Sequence, residues 1–157
     1  MVKTLVLGAG NLLLSDDGLG IHTIQRLQSF QLPEEVQVLD GGTLGLGLLH
    51  YLEGVSRLLI VDALDIGQPP GTVTRLSGEE VPAYFAQKMS PHEIGLPDML
   101  FAAKLRDLYP AEVVIWGAQP ATVEVGLELS TTVASQVDVL VSEVLAELRR
   151  WGIEPRL

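Results

Sequence analysis

Short apolar runs alternate along this chain with longer segments whose apolar residues recur every three or four positions. Thr4 to Leu7, Val36 to Leu39, Arg57 to Ala63 and Glu112 to Trp116 have the length and aliphatic content of buried strands, and Thr72 to Leu76 predicts an edge strand. Strands that alternate with helical segments predict βαβ units with right-handed crossovers. The predicted fold class is therefore α/β: a three-layer α/β/α sandwich with a mostly parallel, twisted sheet of about five strands and helices on both faces.

Four helical segments are predicted between and after these strands. They begin near Gly18, near Leu44, at Pro97 and after Ser130, which is a favourable residue for a helix N-cap. The last segment carries an apolar stripe at helical spacing, formed by Val133, Val137, Leu140, Val144 and Leu148. With 157 residues and no repeat or linker, the chain is predicted to be a single domain over 1–157.

Charge and composition exclude several classes of function. The formal net charge of −10 makes a nucleic-acid-binding protein improbable, because such proteins present clustered Lys and Arg. The absence of cysteine excludes disulfides and thiolate chemistry. No apolar run approaches the roughly 20 residues that span a bilayer, and the first residues do not resemble a signal peptide. We therefore expect no membrane association and a cytoplasmic location.

Polar side chains follow the predicted strands at the edge where parallel sheets bind their ligands. The residues just after the strands, or in the loop before the Pro97 helix, are Asn11, Asp16, Asp17, Asp40, Thr43, Asp62, Asp65, Ser90, His92 and Gln119. A fold does not need such a concentration of acids, since like charges repel and buried acids require partners.

Asp17, Asp62 and His92 provide two carboxylates and an imidazole from three separate loops. This donor set suits a divalent transition ion that keeps open positions for water or substrate, and it would also accept zinc, manganese or cobalt. Simpler roles remain open from the residues alone. Asp16 or Asp17 would also serve as a helix cap, and a loop histidine such as His92 is often a surface residue.

Other catalytic motifs are absent. His92-Glu93 begins like a zincin helix motif, but Leu96 stands where the second histidine is required. The sequence contains neither a Gly-x-Ser-x-Gly elbow nor a phosphate-binding loop with Gly-Lys. A dinucleotide site would use Gly8-Ala9-Gly10 and Asp40, but Leu13 stands where the third small residue is needed, and acids precede the first helix.

Taken together, the loops resemble those of the hydrogenase maturation endopeptidases. The matching segments, in family order, are Leu7-Gly8-Ala9-Gly10-Asn11, Asp16-Asp17-Gly18-Leu19-Gly20, Asp40-Gly41-Gly42-Thr43, Val61-Asp62-Ala63, Ser90-Pro91-His92-Glu93-Ile94-Gly95-Leu96, Gly117-Ala118-Gln119-Pro120 and Gly126-Leu127-Glu128-Leu129-Ser130. Each motif is short, but their joint order and spacing over residues 7–130 are specific.

The resemblance implies an endopeptidase that removes a C-terminal extension from the large-subunit precursor of nickel–iron hydrogenases after nickel insertion. It implies that Asp17, Asp62 and His92 are the catalytic and metal-binding triad, and that the nickel is carried by the precursor. The expected substrate cleft is lined by Asn11, Asp16, Asp40, Gly41, Gly42, Thr43 and Gln119. The ion would activate the carbonyl or the water, or a carboxylate would act as general base; the residues do not choose between these.

Two other interpretations remain open at this stage. A non-catalytic metal or precursor chaperone would use the same cleft and ligands, and a dinucleotide-binding protein is the weaker alternative. The expected partner is the hydrogenase precursor, and the chain itself is expected to be a monomer.

Overall fold

The computed structural model describes residues 2–42, 45–87 and 95–156. Within these ranges one sheet contains β1 (Thr4–Ala9), β2 (Val36–Gly42), β3 (Arg57–Ala63), β4 (Val73–Ser77) and β5 (Glu112–Ala118). The α-helices are α1 (Leu19–Leu27), α2 (Glu80–Gln87), α3 (Leu96–Leu105), α4 (Thr131–Ala134) and α5 (Val137–Arg150). Two further segments, Ser15–Gly18 and Gly45–Leu52, are 3₁₀ helices.

The strand order in the sheet is β2-β1-β3-β5-β4. The first four strands in this order are parallel, and β4 pairs antiparallel with β5 at the edge. Because β1 lies between β2 and β3, the loops that follow these three strands emerge side by side. This arrangement confirms the predicted α/β fold with a mostly parallel five-stranded sheet.

Two apolar cores cover the two faces of the sheet, because successive strand residues point to opposite faces. Leu5 and Leu7 of β1 join the core formed with α2, α3 and the 45–52 segment. Val6 joins the core formed with α1 and α5 on the other face. The predicted stripe of the terminal helix is buried in this second core. None of the helices in the described ranges has the length and apolar character needed to cross a lipid bilayer.

The predicted terminal helix is divided into α4 and α5. Ser130 caps α4 as expected, since its Oγ accepts the Val133 N–H at 3.3 Å. The helix then breaks at Ser135, whose Oγ donates to the Thr132 carbonyl oxygen at 2.7 Å. A side chain that bonds to its own backbone in this way competes with the helical ladder, which gives a physical reason for the break.

Two local differences bear on the loops of the sheet. Gly41 and Gly42 belong to β2 rather than to a turn, because β1 extends to Ala9, which pairs with Gly42. The sequence predictions also contain no helix over 80–87, where α2 lies. Its signal was present: Pro82 stands in the first turn, and Tyr84 and Phe85 complete an apolar side at helical spacing.

A buried ion pair joins α5 to the edge of the sheet. Glu147 is only 2% exposed, and its carboxylate accepts hydrogen bonds from Arg75 Nε at 2.7 Å, Arg75 Nη2 at 3.1 Å and Trp116 Nε1 at 2.9 Å. Burial alone would raise the pKa of Glu147. The hydrogen bonds from Arg75 and Trp116, with the charges of Arg75 and Arg150, outweigh it and hold the pKa below its ordinary value.

Glu147→Gln is expected to lower the free energy of unfolding by about 2 kcal/mol at neutral pH, because the amide leaves a donor of Arg75 or Trp116 unpaired. The pKa of Glu147 is lower in the folded than in the unfolded state. Its stabilisation is therefore complete above the unfolded value and is lost as the pH falls through the folded value. Urea unfolding from pH 7 to pH 3 would measure this loss, with Glu143→Gln on the same helix as the control. Equal effects of both substitutions would contradict the assignment.

Candidate active site

Asp17 and Asp62 both lie beside Gly10 at the carboxyl edge of the sheet. The Asp17 side chain reaches back to the loop after β1, where its Oδ2 accepts the Asn11 N–H at 2.9 Å. A Cβ atom placed on Gly10 would lie 3.4 Å from Asp62 Oδ1 and would overlap the Asp17 carbonyl oxygen. The loop after β1 and the end of β3 therefore bring two carboxylate residues to one place, as predicted from the sequence.

Gly10 is the residue that permits this close approach. Its φ of +118° lies in a region that residues with a side chain rarely adopt. Its N–H donates to the Gly42 carbonyl oxygen at 3.2 Å, which also ties the loop after β1 to the end of β2. Gly10 belongs to the Gly8-Ala9-Gly10 segment of the weaker dinucleotide alternative, and in the structure it lets the backbone of Asp17 and the side chain of Asp62 approach the loop after β1.

Asp62 occupies the second-to-last position of β3. The strand residues before it are buried, whereas Asp62 is half-buried and lines a cleft. Its Oδ1 accepts the N–H of Ala63 at 2.8 Å, which orients the carboxylate. On the neighbouring strand Gly117 is its partner, and a side chain there would overlap the Asp62 carbonyl oxygen.

The cleft has a volume of about 920 Å³. Its polar end is formed by residues at the ends of β1, β2 and β3, and the rest is formed mainly by α2 and α3. The described lining residues used below are Gly10, Asn11, Asp17, Gly42, Asp62, Phe85, Leu100, Phe101, Lys104 and Tyr109. A cleft of this size suits a peptide or another extended ligand.

Two predicted site residues, Thr43 and His92, lie outside the described residues. In the described ranges no three metal-ligating side chains form a cluster. The structure thus brings Asp17 and Asp62 together, and the third member of the predicted metal triad remains a prediction.

The structure corrects the prediction that Asp16 lines the cleft. Asp16 is fully buried, and the described lining of the cleft does not include it. Its Oδ2 accepts the N–H groups of Ala121 and Thr122 and the Ser130 hydroxyl, at 2.8, 3.1 and 2.9 Å. Its Oδ1 accepts the Ser130 N–H at 2.7 Å. Asp16 therefore joins the loop after β1 to the loop after β5.

Neither acid caps α1. The N-cap position of α1 is Gly18, which makes no side-chain hydrogen bond there. Burial alone would raise the pKa of Asp16, but the hydrogen bonds from Ser130, Ala121 and Thr122 outweigh it and hold the pKa below its ordinary value. Asp16 is therefore a charged anchor of the fold, and Asp17 is the acid that faces the cleft.

Gln119 is also corrected from a cleft residue to a structural one. Its Oε1 accepts the N–H groups of Ile66 and Gln68 at 2.8 and 3.2 Å, and its Nε2 donates to Asp65 Oδ1 at 2.9 Å. The side chain is buried and holds the loop after β3. It is not among the described residues that line the cleft.

The residues at the end of β2 also differ in their positions relative to the cleft. Asp40 is exposed, and its Oδ1 accepts the Gly42 N–H at 3.0 Å. Gly41 packs against the core, where a Cβ atom would lie 2.6 Å from a Leu7 methyl carbon. Only Gly42 and Asn11 of the expected additional lining residues are among the described lining of the cleft.

Sequence reasoning missed the long wall of the cleft. Phe85 of α2, and Phe101 and Lys104 of α3, line it together with Tyr109. Phe101 lies on the side of α3 opposite the predicted core residues Met99 and Ala103, and it is 65% exposed. A large aromatic residue off the apolar side of a predicted helix was the available signal for this wall.

Comparison with known proteins agrees with the fold. A family profile described as hydrogenase maturation protease matches residues 21–147. The hydrogenase 2 maturation protease of Escherichia coli (strain K12) is 39% identical over 155 residues, which cover 98% of this chain and 94% of that protein. Hydrogenase expression/formation protein HupD of Rhodobacter capsulatus is 41% identical, covering 97% and 74%.

A solved structure described as the hydrogenase maturating endopeptidase HybD from E. coli superposes with a TM-score of 0.92 at 38% identity. The superposition covers 99% of this chain and 97% of that one. The matching family profile, relative and solved structure identify an α/β protease. The chain belongs to the hydrogenase maturation protease family.

Asp16→Asn is expected to destabilise the fold by about 2–4 kcal/mol, because the amide nitrogen replaces an acceptor that faces buried N–H groups. Asp17→Asn is the matched control and should cost less than about 1 kcal/mol, since its carboxylate accepts a single backbone N–H here. Urea unfolding at pH 7 would compare them. The pKa of Asp16 is lowered in the folded state, so its contribution should disappear as the pH falls below its ordinary value of 3.8. Equal costs for the two variants would contradict these roles.

Gly10→Ala is expected to displace the 3₁₀ turn at 15–18, because its Cβ atom would overlap the Asp17 carbonyl oxygen. Gly67→Ala is the control, since Gly67 also has a positive φ but no atom within 4 Å of its ideal Cβ position. Backbone strain alone should cost the control about 1–2 kcal/mol. Gly10→Ala should lower the free energy of unfolding by more than the control does, and it should also reduce the protease activity of the protein. Equal stability and activity in the two variants would contradict the tight packing.

Proposed function

We propose that the protein removes the C-terminal extension of a nickel–iron hydrogenase large-subunit precursor after nickel insertion. In this proposal Asp17, Asp62 and His92 recognise the nickel that the precursor carries. The observation that carries the proposal is the convergence of Asp17 and Asp62 around Gly10 at the mouth of a peptide-sized cleft. The names of the related proteins, which describe hydrogenase maturation proteases, support the choice of substrate.

Two carboxylates at one mouth favour a cation between them. Like charges held close together repel, and a metal ion removes that repulsion. Carboxylate oxygens with an imidazole suit a divalent transition ion that retains open positions. A site of this kind would bind the ion weakly until the precursor supplies further ligands, so cleavage would follow complete nickel insertion.

The residues at the mouth have distinct roles in the proposed reaction. Asp17 and Asp62 orient the nickel-bearing segment, and either carboxylate can accept the proton of the attacking water. The Asn11 N–H donates to Asp17 Oδ2, its Oδ1 accepts the Leu13 N–H, and its carbonyl oxygen accepts the Leu14 N–H. This fixes its amide group at the cleft, where the amide nitrogen can bind a substrate carbonyl. When bound, nickel would polarise the scissile carbonyl or acidify the water.

Asp62→Asn and His92→Ala are each expected to reduce cleavage of nickel-loaded precursor by about 100-fold or more, because each removes a ligand or base from the reacting region. Loss of the C-terminal peptide would be followed by mass spectrometry, with and without nickel. Asp138→Asn and His50→Ala are matched controls, since neither side chain is among the described lining of the cleft. Melting temperatures would confirm that each variant folds.

Three outcomes would count against the proposal. Equal cleavage of nickel-free and nickel-loaded precursor would remove nickel from recognition. Full activity of Asp62→Asn and His92→Ala would move the site elsewhere. Precursor binding without cleavage by the wild type would favour the alternative of a non-catalytic chaperone.

A further inference from the structure

The cleft continues from the carboxyl edge of the sheet into a groove beside α3. Leu96, at the start of α3, and Asp62 both line it at the carboxyl edge. Lys104, near the end of α3, and Tyr109, three residues before β5 begins, also line it. Because β5 begins at the opposite edge of the sheet, the groove runs along most of the height of the molecule. We name these residues, with Phe85 and Phe101, the α3 groove.

The α3 groove has the length of a short extended peptide. The ten residues of α3 span about 15 Å at 1.5 Å per residue. An extended chain rises about 3.3 Å per residue, so four or five substrate residues fit along it. A folded domain does not fit into a groove of about 920 Å³. The part of a substrate that enters the groove must therefore be an extended segment.

The walls of the groove are mainly apolar, and Lys104 lies at its far end, where the charge of Glu79 also acts on Tyr109. Phe85 and Leu100 are buried in the core beneath it, whereas Phe101 lines the groove and is 65% exposed. Lys104 lies over the Tyr109 ring, with its Nζ 4.9 Å from the ring centroid. This contact keeps the ammonium group at the groove, although the side chain is exposed.

The charges along the groove are separated. The acids of the described lining are Asp17 and Asp62 at the carboxyl edge and Asp98 in the first turn of α3, and Lys104 is the only Lys or Arg among those lining residues. The whole chain carries a net charge of −10, so a cation in this position stands out against an acidic surface. A bound peptide would therefore meet carboxylates at one end, aromatic and aliphatic side chains along the middle, and an ammonium group at the other end.

We propose that the α3 groove binds the C-terminal extension of the substrate. The four or five residues after the scissile bond lie along α3 with apolar side chains against Phe85 and Phe101, and a carboxylate of the extension pairs with Lys104. This inference rests on the proposed function, because it assigns one side of the scissile bond within the same cleft. It makes Lys104 and Phe101 determinants of specificity, distinct from the residues at the mouth.

A binding experiment tests the groove without requiring catalysis. The probe is a synthetic peptide with the sequence that the reaction releases from the cognate precursor, and its affinity would be measured by calorimetry. Lys104→Glu should weaken binding about tenfold or more, because attraction becomes repulsion. Arg149→Glu, the same charge change on α5 beyond the other face of the sheet, should leave binding unchanged. Peptides with a free or an amidated C-terminus would distinguish a terminal carboxylate from an Asp or Glu side chain.

A charge-reversal experiment tests the same contact during cleavage. Lys104→Glu should lower kcat/KM for nickel-loaded precursor about tenfold through KM. A precursor with Lys in place of the acidic group of the extension should regain cleavage by Lys104→Glu and lose it with the wild type. Phe101→Ser is the second variant, and it should weaken peptide binding without changing the salt dependence.

The outcomes separate the two proposals. If wild-type protein does not cleave nickel-loaded precursor, the proposed function fails. If cleavage depends on nickel and on Asp62 but is insensitive to Lys104→Glu, Phe101→Ser and the charge reversal, the groove proposal alone is overturned. Peptide binding that Arg149→Glu weakens as much as Lys104→Glu would also overturn it, because the effect would then be one of net charge.

Discussion

The arrangement of the site depends on one buried carboxylate. Asp16 has no exposed surface, and both of its oxygens accept hydrogen bonds from the loop after β5 and from Ser130. A charge in such a place is tolerated only because so many donors surround it. Loss of any of these hydrogen bonds would cost free energy of folding, so the geometry around Asp16 is closely constrained. Asp17 is the next residue along the chain, and its backbone is constrained with it. The position of Asp17 at the cleft therefore depends on the buried hydrogen bonds of Asp16.

The topology of the sheet supplies the other half of the arrangement. Because β1 lies between β2 and β3 in the sheet, the loop after β1 lies directly beside the end of β3. Glycines at the crossing points let the backbones approach: Gly10 beside Asp17, and Gly117 beside Asp62. The helices on the same face then determine how far the cleft extends. The ends of the strands form the mouth of the cleft, whereas α2 and α3 form the α3 groove.

Much of the fold could be predicted because it depends on periodicity. The bounds of β3 agree residue for residue, and the stripe from Val133 to Leu148 is buried as expected. The helix over 80–87 was missed although Val81, Tyr84 and Phe85 carry its apolar spacing. The break at Ser135 was missed because it depends on a single hydroxyl that bonds to Thr132. Local hydrogen bonding of this kind leaves no trace in an apolar pattern.

The candidate site could be predicted less completely. The positions of Asp17 and Asp62 followed from the rule that parallel sheets bind ligands at their carboxyl edge. The structural roles of Asp16 and Gln119 did not follow from that rule, because a position just after a strand does not determine whether the side chain points to the cleft or to the interior. In a 3₁₀ turn, with three residues per turn, neighbouring side chains point about 120° apart. Asp16 therefore faces the interior and Asp17 faces the cleft, and the sequence alone does not show which of the two takes which direction.

The pair of acids has a genetic consequence. Loss of Asp16 weakens the fold, so the altered protein would be degraded and a second, intact copy of the gene would compensate for it. Loss of Asp17 leaves a well-folded protein with an unaltered α3 groove. If the α3 groove binds the extension as proposed, such a protein would accumulate, occupy precursors and withhold them from the active enzyme. Two neighbouring aspartates of the same chemistry would therefore give one recessive and one dominant phenotype.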